Sequence, residues 1–246
     1  LTLAGRRAQN GAPMDRRLEG RTALVTGGSR GIGKAVAKAF HAAGARVFIV
    51  GRTAKTLVGA AKEIGEIICL PGDVRKDAAA ILGRVDRLDV LVNNAGGMEH
   101  HGRFEETPLE AWRSTFELNF FGAVETTRAA LPLLRRSKGC VVNVASDVAR
   151  RPFRMGPDYC AAKAALVNLT RYLAAELAPV RVNAVCPGPV VTGEWTAADV
   201  REAASRTLAG RTGKPEEVAE AVLFAATCGY LNGAVCGVDG GAVRWP

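Results

Sequence analysis

The chain has 246 residues, 48% of them hydrophobic and 6% aromatic, enough to bury the core of one large α/β domain. Its formal net charge is +9, yet no dense Lys/Arg block interleaved with aromatics occurs, which sets nucleic-acid binding aside. No apolar run reaches the roughly 18 residues that a membrane span needs.

Leu1 to Pro13 reads as an extension ahead of Met14, where a regular pattern begins. Arg6, Arg7, Arg16, Arg17 and Arg21 concentrate positive charge here, against only Asp15 and Glu19. Residues 1–17 are expected to form a flexible extension, and residues 18–246 a single domain. No apolar region of a signal peptide follows Met14. The six cysteines, Cys69, Cys140, Cys160, Cys186, Cys228 and Cys236, form no CxxC and stand at no metal-ligand spacing from a histidine. A reduced, cytoplasmic protein without a metal is the expectation.

From Arg21 onward, apolar runs alternate with helical patterns. Strands are predicted at Thr22–Thr26, Arg46–Val50, Glu66–Leu70, Leu88–Asn93, Gly139–Ala145, Val180–Val185 and Ala234–Val238. Most are continuous apolar runs, as strands buried on both faces read. Helices are predicted at Gly33–Ala43, Thr53–Ile64, Leu109–Arg136, Asp158–Leu177 and Pro215–Thr227. Thr53 to Asp89 is compact, so its helices must be short, and Thr192–Thr212 reads as a loop carrying a helix. This order implies a doubly wound parallel sheet with helices on both faces, a Rossmann-type three-layer sandwich.

Thr26-Gly27-Gly28-Ser29-Arg30-Gly31-Ile32-Gly33 joins the first strand to the first helix. Glycines there let the backbone turn tightly and approach a pyrophosphate, and the helix N-terminus offers it free N–H groups. A dinucleotide site that prefers NAD places an acidic residue at the end of the second strand. Here that strand ends Val50-Gly51-Arg52-Thr53. Arg52, with Arg30 inside the loop, suits a 2′-phosphate, so NADP(H) is the expected cofactor.

Tyr159 and Lys163 lie four residues apart in a helical pattern, hence on one face. A phenol ordinarily titrates near pH 10, and a neighbouring ammonium is expected to lower that value.

With these residues in place, the chain resembles the short-chain dehydrogenases/reductases from about Leu18 to Gly241. The motifs run in order: TGxxxGxG at Thr26–Gly33, Asp73-Val74 after the third strand and Asn93-Asn94-Ala95-Gly96 after the fourth. Asn119, Ser146 and Tyr159-xxx-Lys163 follow, then Pro187-Gly188 with Thr192, and Val238-Asp239-Gly240-Gly241. The string TGGSRGIG, the NNAG and the VDGG ending are shared with the family's 3-oxoacyl carrier-protein reductases.

The resemblance implies a ketone–alcohol oxidoreductase in which Tyr159 exchanges the proton and Ser146 hydrogen-bonds the reacting oxygen. Lys163 then tunes Tyr159 and holds the nicotinamide ribose, and Asn119 anchors a water of the proton relay. It implies cofactor contacts at Gly27, Ser29, Arg30, Gly31, Ile32, Gly33, Arg52, Thr53, Asp73, Val74, Asn94, Ala95 and Gly96. Tyr159, Lys163, Pro187, Gly188, Val190 and Thr192 complete that set. Substrate contacts are expected from Ser146, Tyr159, Arg150, Arg154 and Trp195, the last as part of a lid. The arginines between Ser146 and Tyr159 suggest an anionic or carrier-bound carbonyl substrate. A homotetramer or dimer is implied, assembled through the helices near Leu109–Arg136 and Asp158–Leu177. The alternative is a catalytically silent NADP(H)-sensing protein on the same fold.

Overall fold

In the computed structural model, which describes residues 16–152, 156–193 and 195–242, all seven expected strands form. They are β1 (Thr22–Thr26), β2 (Arg46–Gly51), β3 (Ile68–Pro71), β4 (Val90–Asn93), β5 (Cys140–Val144), β6 (Arg181–Pro187) and β7 (Val235–Val238). All pair in parallel, in the order β3-β2-β1-β4-β5-β6-β7. The helices are α1 (Gly31–Ala42), α2 (Ala54–Ile64), α3 (Ala78–Leu82), α4 (Leu109–Phe116), α5 (Gly122–Ser137), α6 (Pro157–Glu176), α7 (Ala197–Ser205) and α8 (Pro215–Thr227).

The continuous apolar strands are explained by their two faces. Val25, Ile49, Val92 and Val142 point into a core layer shared with Phe40 of α1, Leu57 of α2 and Val222 of α8. Their neighbours Leu24, Phe48, Leu91 and Val141 point the other way, against Leu82 of α3, Leu134 of α5 and Ala174 of α6. Alternate side chains thus bury opposite faces, which is why most strand positions are apolar. Leu18, just ahead of β1, is already buried in the first layer. Strand order reverses between β1 and β4, which opens a crevice at their carboxyl ends.

One expected helix is interrupted. Leu109–Arg136 reads as a single helix, but a π-helical turn, Glu117–Phe121, separates α4 from α5. The 3.6-residue apolar spacing continues through this stretch and carries no sign of the wider turn. Its cause is local: Asn119 Nδ2 donates to the Thr115 carbonyl at 3.1 Å, so the side chain takes an acceptor of the helix. Among the described residues, no helix is long and apolar enough to cross a membrane.

Candidate active site

The crevice is a cleft of about 1030 Å³. The Gly27–Gly33 loop lines one part, and Gly27 (φ 65°) and Gly31 (φ 52°) adopt left-handed backbone that other residues avoid. Arg30 precedes α1 with extended backbone and no side-chain cap, and the first turn holds no acidic residue. The free amides of that turn are therefore left for an anion. Asn94 holds the loop in shape, its Nδ2 donating to the carbonyls of Thr26 (2.9 Å) and Gly27 (3.2 Å). The Thr26 hydroxyl accepts from the amides of Asn94 (2.9 Å) and Ala95 (3.0 Å), which ties the end of β4 to the end of β1.

Arg52 and Thr53, after β2, line the same cleft. So do Asp73 and Val74, after β3. Asp73 is gripped by Arg75, whose Nε lies 3.0 Å from both carboxylate oxygens and whose Nη2 lies 2.5 Å from Oδ2. Arg75, and more weakly Arg52, hold the Asp73 carboxyl below the ordinary range. Arg75 was not singled out from the sequence, although its position two residues after Asp73 is the available signal.

At the other end stand Ser146, Tyr159 and Lys163, from the end of β5 and the first turns of α6. Lys163 is 3% exposed, and its Nζ donates to the Val144 carbonyl at 3.0 Å and lies 5.7 Å from the centre of the Tyr159 ring. The expected lowering of the Tyr159 pKa is not what the surroundings produce. Burial dominates and pushes the phenol up to about 12, with the neighbouring Ser146 hydroxyl acting in the opposite sense.

Burial likewise pushes the Lys163 ammonium down from 10.5 to about 8. Its folded-state pKa is depressed, so the fold carries the desolvation cost in full below about 8 and sheds it as the pH rises to 10.5. Lys163 therefore makes stability increase with pH across that window. In thermal denaturation, a Lys163→Met variant should lack this increase, and its Tm relative to wild type should be most favourable at pH 7 and decline toward pH 10.5.

Asn119 stands behind the cleft wall, 1% exposed. Its Oδ1 accepts from the Gly97 amide (2.9 Å) and its Nδ2 donates to the Gly97 carbonyl (3.0 Å). Gly96 separates it from Lys163: a Cβ there would lie 2.6 Å from Asn119 Oδ1 and 3.2 Å from Lys163 Nζ.

Every residue expected at the cofactor lines this one cleft, including Pro187 at the end of β6 and Gly188, Val190 and Thr192 after it. The expected substrate residues divide. Trp195 lines the cleft, just ahead of α7. Arg150 is not among the lining residues; its guanidinium turns to Asp239 at 3.7 Å. Arg154 lies outside the described residues. Arg151, another of the arginines between Ser146 and Tyr159, does line the cleft, as do Asp147 and Arg206, the last not singled out from the sequence. Among the described residues, no group of three His, Cys, Asp or Glu side chains is arranged to hold a metal ion.

Residues 27–243 match the family model described as enoyl-(acyl carrier protein) reductase. The chain is 35% identical to meso-2,3-butanediol dehydrogenase of Serratia marcescens, over 92% of this chain and 96% of that one. It is 38% identical to the rhamnolipids biosynthesis 3-oxoacyl-[acyl-carrier-protein] reductase of Pseudomonas aeruginosa, over 91% and 96%. A solved structure of a short chain dehydrogenase/reductase family protein superposes with a TM-score of 0.86, at 35% identity, covering 93% of this chain and all (100%) of that one. The chain belongs to the short-chain dehydrogenase/reductase family. Short-chain dehydrogenases/reductases are oxidoreductases that use a nicotinamide cofactor. This cleft fits such a group: the loop at Gly27 and Gly33 leaves no room for a side chain, and α1 presents uncapped amides beside it.

Proposed function

We propose that this protein is an NADP(H)-dependent short-chain dehydrogenase/reductase that interconverts a ketone and a secondary alcohol, with Tyr159 as general acid and base. The observation that carries the reading is the convergence of Ser146, Tyr159 and Lys163 on the same cleft that the glycine loop lines. When bound there, the nicotinamide cofactor supplies the hydride in reduction and takes it in oxidation.

The protein's own part is to bind, orient and move one proton. The amides of the first turn of α1 would hold the pyrophosphate, and Arg30 and Arg52 would pair with the 2′-phosphate. Tyr159 donates its hydroxyl proton to the ketone oxygen, and Ser146 steadies the negative charge that grows there. A phenol pushed up to about 12 stays protonated at neutral pH, as a donor in the reducing direction must. Lys163, close to the Tyr159 ring, relays the replacement proton, and Asn119, across Gly96 from it, anchors a water of that relay. Helix α4, the π-helical turn and α6 leave Leu109, Phe121 and Tyr172 exposed, which supports assembly into tetramers through the helices of that region.

The test is spectrophotometric: purified protein with NADPH or NADH and a panel of ketones, keto acids and 3-oxoacyl thioesters. Ketone-dependent oxidation of NADPH, faster than that of NADH, is expected; no turnover with any ketone overturns the reading. A charge-assisted hydrogen bond contributes about 1.5–3 kcal/mol. Arg52→Asp should accordingly cut the NADPH-over-NADH ratio of kcat/KM by about ten- to a hundredfold. An unchanged ratio would remove the NADP(H) assignment and leave the rest standing.

A further inference from the structure

Among the charged groups in the cleft that the mechanism above leaves without a task is Asp147, beside Ser146. Asp147 follows Ser146 directly and opens a short 3₁₀ turn, Asp147–Ala149, with Ser146 as its N-cap. The turn folds the carboxylate back on its neighbour. Ser146 Oγ donates to Asp147 Oδ1 at 3.0 Å, and the Val148 amide donates to the same oxygen at 2.9 Å. Both bonds fall on Oδ1, and the one from Ser146 is the bond that a ligand hydroxyl can take over. The side chain is half-buried and lines the cleft beside Ser146 and Tyr159. Burial chiefly, and Asp239 nearby, hold this carboxyl above the ordinary carboxylate range, while Ser146, Val148 and Arg206 act the other way. A partly desolvated acceptor of this kind gains from a hydrogen-bond donor and repels an anion.

Resting on the function proposed above, we infer that Asp147 is a specificity-determining residue that accepts a hydrogen bond from a hydroxyl on the carbon next to the reacting carbonyl. The substrate class is then α-hydroxyketones, and vicinal diols in the oxidising direction. Spacing supports it. Ser146 Oγ is the proposed partner of the carbonyl oxygen, and Asp147 Oδ1 lies 3.0 Å from it. Two oxygens on adjacent carbons of a substrate are separated by a similar distance, so each meets its own partner. The exchange also releases Ser146. Its hydroxyl proton is directed at Asp147, and the substrate hydroxyl replaces that bond, so Ser146 turns to the carbonyl oxygen while Oδ1 keeps two donors, the Val148 amide and the substrate. An alkyl group in the same place offers no replacement, and a carboxylate is repelled.

The probes are hydroxyacetone and 2-butanone, which differ by a hydroxyl exchanged for a methyl. Wild type should show a kcat/KM for hydroxyacetone at least about tenfold above that for 2-butanone. In Asp147→Ala the ratio should fall close to one, whatever happens to the absolute rates. Asp147→Asn keeps an acceptor oxygen without the charge and should give an intermediate ratio, a readout that survives if the alanine variant folds poorly. A wild-type ratio near one, or a ratio unmoved in both variants, overturns the Asp147 assignment while the ketone chemistry stands. No reduction of any ketone by wild type overturns the parent reading and this one with it.

Discussion

A Tyr159→Phe variant is expected to lose ketone reduction by about 10²- to 10⁴-fold in kcat, the range a positioned general acid contributes. NADPH affinity should change by little. The substitution removes one oxygen and keeps the ring, so the half-buried slot in α6 stays filled and the neighbour of Lys163, 5.7 Å from the ring centre, is still present. What disappears is the only proton that the proposed mechanism delivers to the ketone oxygen. The pH dependence follows from the same environment. With the phenol held up to about 12, the donor form prevails throughout the neutral range, so oxidation, which needs the phenolate, should accelerate as the pH rises toward that value. Rapid-mixing measurement of hydride transfer, with NADPH binding followed by fluorescence, separates the two effects. Near-normal turnover in the phenylalanine variant would leave the proposal without its proton donor.

The architecture was legible because burial on two faces favours apolar residues at consecutive strand positions, and Ala23, Leu24 and Val25 of the wholly buried β1 read directly as such a run. The glycine loop was legible because backbone geometry there excludes side chains, a constraint that leaves its mark in composition. Electrostatics was not. Spacing put Lys163 beside Tyr159, but it says nothing about how deeply the pair is buried, and burial reversed the expected shift of the phenol. The arginines after Ser146 illustrate a similar limit. A basic stretch gives no direction to its side chains, and Arg150 turns away to Asp239 across the chain while Arg151 lines the cleft. Asp147 was hidden for the opposite reason: one carboxylate beside a serine is unremarkable until the 3₁₀ turn folds it onto Oγ. The π-helical turn escaped because apolar periodicity tolerates one wide turn, although Asn119 was identified within it by the motif alone.

The glycine loop supplies the second large effect, through a contrast between two glycines on neighbouring helices. In Gly33→Ala the new Cβ would lie 2.2 Å from the Gly27 carbonyl oxygen and 2.5 Å from Asn94 Nδ2. Neither neighbour can give way cheaply. The first is backbone in a left-handed turn, and the second is the amide that pins that turn to β1. Overpacking of this kind costs about 1–3 kcal/mol, and here the strain falls on the loop proposed to hold the pyrophosphate. NADPH should bind about ten- to a hundredfold more weakly, with a lower Tm. Gly59, on the exposed face of α2, meets nothing within 4 Å of a Cβ, and its backbone is helical. Gly59→Ala should therefore stabilise the fold by about 0.5–1 kcal/mol, raising Tm by about 1–4 °C, and leave NADPH binding intact. Calorimetric titration of both variants decides the matter: full NADPH affinity in Gly33→Ala would mean that the dinucleotide does not approach this loop, and the cofactor would have to be placed elsewhere in the cleft.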